Sequence, residues 1–212
     1  MNFLELINKC LLELNYRQVN SFSELIKNEH KRIKSIMNVI NNEICNLEGW
    51  NFLLRRTNIT LPANETEIDN PINGRILYLI ADNKKYKYIE NFEPFITGHA
   101  PNETYSVLNN KLLLPKFDKN KNIEIIYYTA NSVLDNNGNE KTNLEAYDDT
   151  TLIPMPFAEQ LLVYGTCLRL KGNPQHIRFS YWVNMYKDAL VNLKSKASVY
   201  AKDTPQVRLF RE

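Results

Sequence analysis

Glycine is scarce in this chain, with six residues among 212. A glycine-rich loop that could cradle phosphate is therefore excluded, and no Walker-type, dinucleotide-binding, nucleophile-elbow or zinc-protease motif is present. Cysteine is equally sparse. Cys10, Cys45 and Cys167 are odd in number and far apart, which excludes a disulfide framework or a four-thiolate zinc site within one chain. The three histidines, His30, His99 and His176, do not stand at ligand spacing from acids. No apolar run approaches the length of a membrane span. Met1 to Glu5 lacks the basic and apolar regions of a secretion signal, so synthesis in a reducing cytoplasm is expected. An excess of one charge is missing too: the net charge is +2, too balanced for a typical nucleic-acid binder.

What is present is ample material for a core, with 43% hydrophobic and 24% charged residues. About one residue in seven is Asn. Asn favours turns and caps, but it also occurs inside helical stretches, which reads as AT-rich coding bias rather than chemistry.

The hydrophobic period divides the chain. Phe3, Leu6, Ile7, Cys10, Leu11 and Leu14 recur at helical spacing, with Asn2 and Glu5 placed as a capping box. A second helix of about 25 residues is expected from Ser21 or Ser23, where Ser21 and Glu24 repeat the box spacing, to a glycine stop at Gly49. From Trp50 the pattern shortens to that of strands. Trp50 to Leu61, Arg75 to Ile80, Lys85 to Ile89, Thr104 to Leu108, Lys111 to Leu114 and Asn122 to Thr129 read as about six, mostly antiparallel. Asp82-Asn83 and Asn109-Asn110 supply hairpin turns, and Glu90 to Gly98 a helical turn. Residues 131–153 are polar and Asn-rich, and read as a flexible arm or loop. Pro154 and Pro156 open a third helix through Leu170, and a fourth runs from about Pro174 to Ala201. The expected fold is α+β. Helix pairs from 1–49 and 154–202 form a bundle, 50–130 is an inserted antiparallel β-rich region, and 203–212 is an extended tail.

Candidate sites are few, and each has a plain structural reading. His99 lies in a Gly98-His99-Ala100-Pro101 loop, where a base or ligand is conceivable but a loop histidine is the simpler reading. Asp148-Asp149 could hold Mg²⁺ beside a phosphate, although no third ligand is in view and a solvated loop or a helix cap suffices. Arg55-Arg56, following Trp50 and Phe52, suits single-stranded nucleic acid and equally an edge strand guarded by charge. Tyr78, Tyr86, Tyr88, Tyr127 and Tyr128 divide between core and subunit contact. Tyr181, Trp182, Met185 and Tyr186 read as a core seam. No catalytic residue, metal site or cofactor is expected.

The order of the segments carries more information than any of them singly. MNFLELINKCLLEL, a longer helix ending in LEGWNFLLRR, the hairpin RILYLIADNKKYKYI, the strands ETYSVLNNKLLLPKF and IEIIYYT, and the helices PMPFAEQLLVYGTCLRL and FSYWVNMYKDALVNLKSK follow one another over residues 1–200. This succession resembles the head-to-tail portal adaptor, or head-completion, proteins of tailed and especially short-tailed bacteriophages. The arm at 131–151 is longer than the family pattern. The resemblance implies a non-enzymatic structural protein at the head–tail junction of a virion. It implies a homo-oligomeric ring, commonly of twelve, that docks on the portal protein, meets downstream tail or neck proteins and extends a channel through which DNA passes without sequence-specific binding. It also implies that the tail reaches the portal, where Val207, Leu209 and Phe210 would fill grooves and Arg208 and Arg211 meet acids. Another neck or tail structural role, or a nucleic-acid-binding module, is the alternative.

Overall fold

A computed structural model describes residues 1–197, and the tail residues Val207 to Arg211 lie outside them. The chain forms two compact units, one from Met1–Leu53 with the residues from Ala130 onward, the other from Leu54–Thr129.

The first unit is mainly helical. Helix α1 (Phe3–Glu13) opens with the expected capping box: the Glu5 N–H donates to Asn2 Oδ1 and the Asn2 N–H to Glu5 Oε2, both at 2.9 Å. Its Phe3, Leu6, Ile7, Cys10 and Leu11 are buried. The second box is also formed, but it starts only a single 3₁₀ turn, Phe22–Glu24. Leu25 then leaves helical geometry, with ψ at 53°, and buries its side chain. Helix α2 therefore begins later, and spans Asn28–Leu47. One face of it buries Ile33, Met37, Ile40 and Ile44, the spacing of an amphipathic helix.

The bundle of N-terminal and C-terminal helix pairs is not formed. The third helical stretch is composite: α4 (Phe157–Glu159), a π turn (Gln160–Tyr164) and α5 (Gly165–Leu170). The consecutive residues Leu161, Leu162 and Val163 of the π turn are all buried, as are Gly165, Thr166 and Cys167 at the start of α5. Gly165 then permits close approach, because a Cβ there would lie 2.9 Å from Tyr186 Cε2 and 3.1 Å from Ile40 Cδ1. The last helix, α6 (Phe179–Ala197), buries Trp182, Ala189, Leu193 and Ala197.

The helical unit also contains a sheet of its own. Strands β8 (Val133–Leu134), β9 (Glu140–Lys141) and β10 (Thr150–Thr151) lie in the order β10-β8-β9, within the segment expected as an arm. Side chains of α2 hold this segment by its main chain. Asn38 accepts from the Leu144 N–H at 2.7 Å and donates to the Leu144 carbonyl at 3.0 Å. The fully buried Asn41 donates to the Ser132 carbonyl and hydroxyl and accepts from the Thr151 hydroxyl. Hydrophobic periodicity gives no sign of such bonds, since polar side chains carry them.

The second unit is a mixed, nearly closed seven-stranded sheet. Its strands are β1 (Leu54–Leu61), β2 (Glu67–Asp69), β3 (Gly74–Ala81), β4 (Lys84–Tyr88), β5 (Thr104–Leu108), β6 (Lys111–Leu113) and β7 (Lys121–Thr129), in the order β1-β7-β3-β4-β5-β6-β2. The short α3 (Glu93–Ile96) lies between β4 and β5. All pairings in this sheet are antiparallel except β4 with β5, so the region is mostly but not wholly antiparallel. The parallel pair arises because the chain between Tyr88 and Thr104 is long enough to cross over, which a tight hairpin is not. Leu61, Leu79, Leu112, Leu114, Ile123 and Ile125 lead the buried cluster.

Asparagine does here what glycine does elsewhere. Among the described residues, Asn15, Asn64, Asn83, Asn109 and Asn110 have positive φ, alongside Asp82 and Glu103. The hairpin corners Asp82-Asn83 and Asn109-Asn110 have φ of 51° and 60°, and of 50° and 61°, as two-residue turns of this hand require.

Candidate functional site

The residues first singled out do not converge. His99 is exposed, and its backbone N–H donates to the Pro94 carbonyl at 2.8 Å. Asp149 is fully buried, with its Oδ2 accepting from the N–H groups of Glu145 and Ala146 at 2.5 and 2.7 Å and facing Lys141 Nζ at 2.7 Å. That carboxylate closes a turn, and its neighbour Asp148 adds no second ligand. No group of three or more His, Cys, Asp or Glu side chains able to hold a metal occurs among the described residues. No described helix is long and apolar enough to cross a membrane.

Arg55 donates to the Leu54 carbonyl, and Arg56 is paired with Glu124 at 2.5 Å. Trp50 and Phe52 stack on each other at 5.7 Å, and the Trp50 indole N–H donates to the Ile44 carbonyl. In α6, Trp182 is buried with its indole N–H on Glu13 Oε2 at 3.0 Å, and His176 stacks on its ring at 4.9 Å. Tyr181 is exposed, so the expected core seam is only partly core.

The most distinctive feature of the strand unit is a slot between β3 and β4. These strands leave the Asp82-Asn83 turn paired from Ala81 with Lys84 to Leu79 with Tyr86, and then separate. Beyond that point β4 pairs with β5, through Lys87 with Thr104 and Tyr88 with Tyr105. A bulge in β3 between Ile76 and Tyr78 accompanies the separation. Bulges bend the strand that bears them and add local twist.

The slot encloses about 580 Å³. Its apolar lining comes from Ile76, Leu77, Tyr86, Tyr88, Tyr105 and Val107, and its charged lining from Arg75, Lys85 and Lys87. No carboxylate lines it. Burial raises the phenols of Tyr86 and Tyr105, so both stay neutral at physiological pH. The Tyr88 and Tyr105 rings meet tilted at 5.5 Å, while Lys85 Nζ lies 3.8 Å over the Tyr78 ring. Among the described residues, Arg75, Lys85 and Lys87 have no ion-pair partner, whereas the neighbouring Lys84 is held by Glu103. In sequence the slot was legible only as tyrosines on strands and as the alternation of Lys84 to Tyr88. Its cavity depends on where two paired strands part.

No protein-family model matches the sequence, and no curated protein does either.

Proposed function

We propose that this chain is a structural virion protein that assembles into a ring, joins the capsid portal to the tail and extends the DNA channel. The observation that carries the reading is the order of segments over residues 1–200, which resembles the portal adaptors of short-tailed phages. Several large apolar side chains support it by their exposure, among them Ile177 at 95%, Ile26 at 74% and Val191 at 66%. Many copies sharing such surfaces gain from avidity, and a head-to-tail cyclic contact closes without free ends. The role is that of a fitted surface, with DNA passing through and no base sequence read. On this reading the protein is made in the host cytoplasm and resides at the head–tail junction. Its partners are the portal protein and a downstream tail or neck protein.

The test is to mix the purified chain with portal rings and image the particles by electron microscopy, using the whole chain and one lacking residues 203–212. A ring of density on the portal, lost or weakened in the truncated chain, is the expected result. A full-length chain that never joins the portal overturns the proposal.

A further inference from the structure

A strand that parts from its neighbour leaves main-chain groups without partners. Among the described residues, no strand pairs with the side of β3 that faces away from β7 over Arg75 to Tyr78. On the facing strand, Lys87 N–H donates to the Glu103 carbonyl at 2.8 Å and Ile89 N–H to the Tyr105 carbonyl at 2.9 Å. Successive amides of an extended strand point to opposite sides. The intervening Tyr88 amide is thereby turned towards β3 and the slot. Both walls thus present unpaired backbone, next to an apolar lining and three cations with no acid among them.

We propose that this slot binds an extended peptide segment of another protein as an added strand, one that alternates apolar side chains with carboxylates. The free margins of β3 and β4 bond its main chain, which is the way an exposed sheet edge captures a peptide. Its apolar side chains lie against Ile76, Tyr88, Tyr105 and Val107, and its carboxylates meet Arg75, Lys85 and Lys87. The proposal does not rest on the ring.

A single-stranded nucleic acid would also seek cations and aromatics, but the geometry disfavours it. Stacking needs successive open ring faces. Tyr86 and Tyr105 are each only 6% exposed, the Tyr78 face is covered by Lys85, and Tyr88 leans on Tyr105. An unpaired row of amides and carbonyls offers nothing to bases and suits another backbone.

The test uses the whole chain and fluorescence anisotropy. The probe is a labelled peptide of about eight residues alternating valine and glutamate, long enough to line both walls. Its comparators are the valine–lysine peptide, the valine–glutamate peptide N-methylated at alternate amides, and oligothymidylate of similar length. Salt-sensitive binding of the valine–glutamate probe is expected, weakened about tenfold or more by Lys85→Glu combined with Lys87→Glu. N-methylation should weaken it to a similar degree. Both lysines are exposed, and circular dichroism checks that the variant folds. Absence of binding at millimolar peptide overturns the proposal, as does equal binding of the N-methylated probe. Tighter binding of oligothymidylate would assign the slot to nucleic acid instead. Self-association of the chain that excludes the peptide and is lost in the double variant would assign it to a second copy.

Discussion

The sulfur atoms of Cys10 and Cys167 lie 3.7 Å apart, both fully buried, and join α1 to α5 across 157 residues of sequence. The hydrogen bond to Cys167, followed by burial, pushes the Cys10 thiol far above the ordinary range. Burial shields both sulfurs from reagent, and Cys10 in addition forms little of the nucleophilic thiolate, so neither should react with iodoacetamide in the native chain at neutral pH. Both should react once the chain is unfolded. Mass spectrometry before and after denaturant reads the difference, and rapid native alkylation of Cys10 would contradict the packing.

Cys45 makes a pH prediction of definite sign. Burial pushes its thiol from 9.0 up to about 12. The folded chain therefore holds a proton that the unfolded chain releases first. The contribution is fully present below the unfolded value and is lost as pH rises from 9 towards about 12. The denaturant midpoint should fall over that window, and Cys45→Ala should fall less steeply. An equal slope in the variant would locate the effect elsewhere.

Trp50 is fully buried and donates its indole N–H to the Ile44 carbonyl at 2.6 Å. Trp50→Phe would leave that carbonyl without its donor and open a gap beside Phe52, costing about 2–4 kcal/mol. Unfolding followed by the fluorescence of Trp182 measures it within the same unit.

Asn41 holds residues 130–153 to α2 through Ser132 and Thr151. Asn41→Ala should destabilise the helical unit by about 2–3 kcal/mol, because several buried polar groups lose partners at once. Limited proteolysis should then cut between 131 and 151 faster than in the parent chain. Unchanged cleavage would mean that Asn38, together with Asn42, which donates to Asn143 Oδ1 and accepts from the Ser132 hydroxyl, suffices.

Gly74 begins β3 opposite Thr129, and a Cβ there would lie 2.0 Å from the Tyr128 carbonyl oxygen. Gly74→Ala must push β3 away from β7, at a cost of about 2–3 kcal/mol. The two tryptophans belong to the helical unit, so fluorescence would miss this. Hydrogen exchange of β3 and β7 amides is the readout, and faster exchange is expected there.

Local signals were the legible part of the fold. The Asn2–Glu5 box, the apolar faces of α1 and α2 and the turns at Asp82-Asn83 and Asn109-Asn110 each depend on neighbours within a few residues. The Ser21–Glu24 box was equally visible, yet it opened one turn only, because a cap favours a helical start without ensuring that it continues. Strand β2 leaves no such signal: three residues with the single apolar Ile68 give no alternation to read. Five asparagines stand at positive φ in a chain with six glycines, a conformational use that their abundance alone does not reveal.

By itself the sequence determined the α+β content, the place of the strand-rich insertion between helical ends, and the lack of any catalytic motif. Tertiary structure alone decided that the helices share their unit with a small sheet, that a π turn interrupts the third helical stretch, and that β4 pairs in parallel with β5. It also decided that β3 and β4 part to leave a slot. The physical reason is common to all four. Each depends on main-chain pairing or polar side-chain bonds, and hydrophobic period records only which way a residue faces its own element.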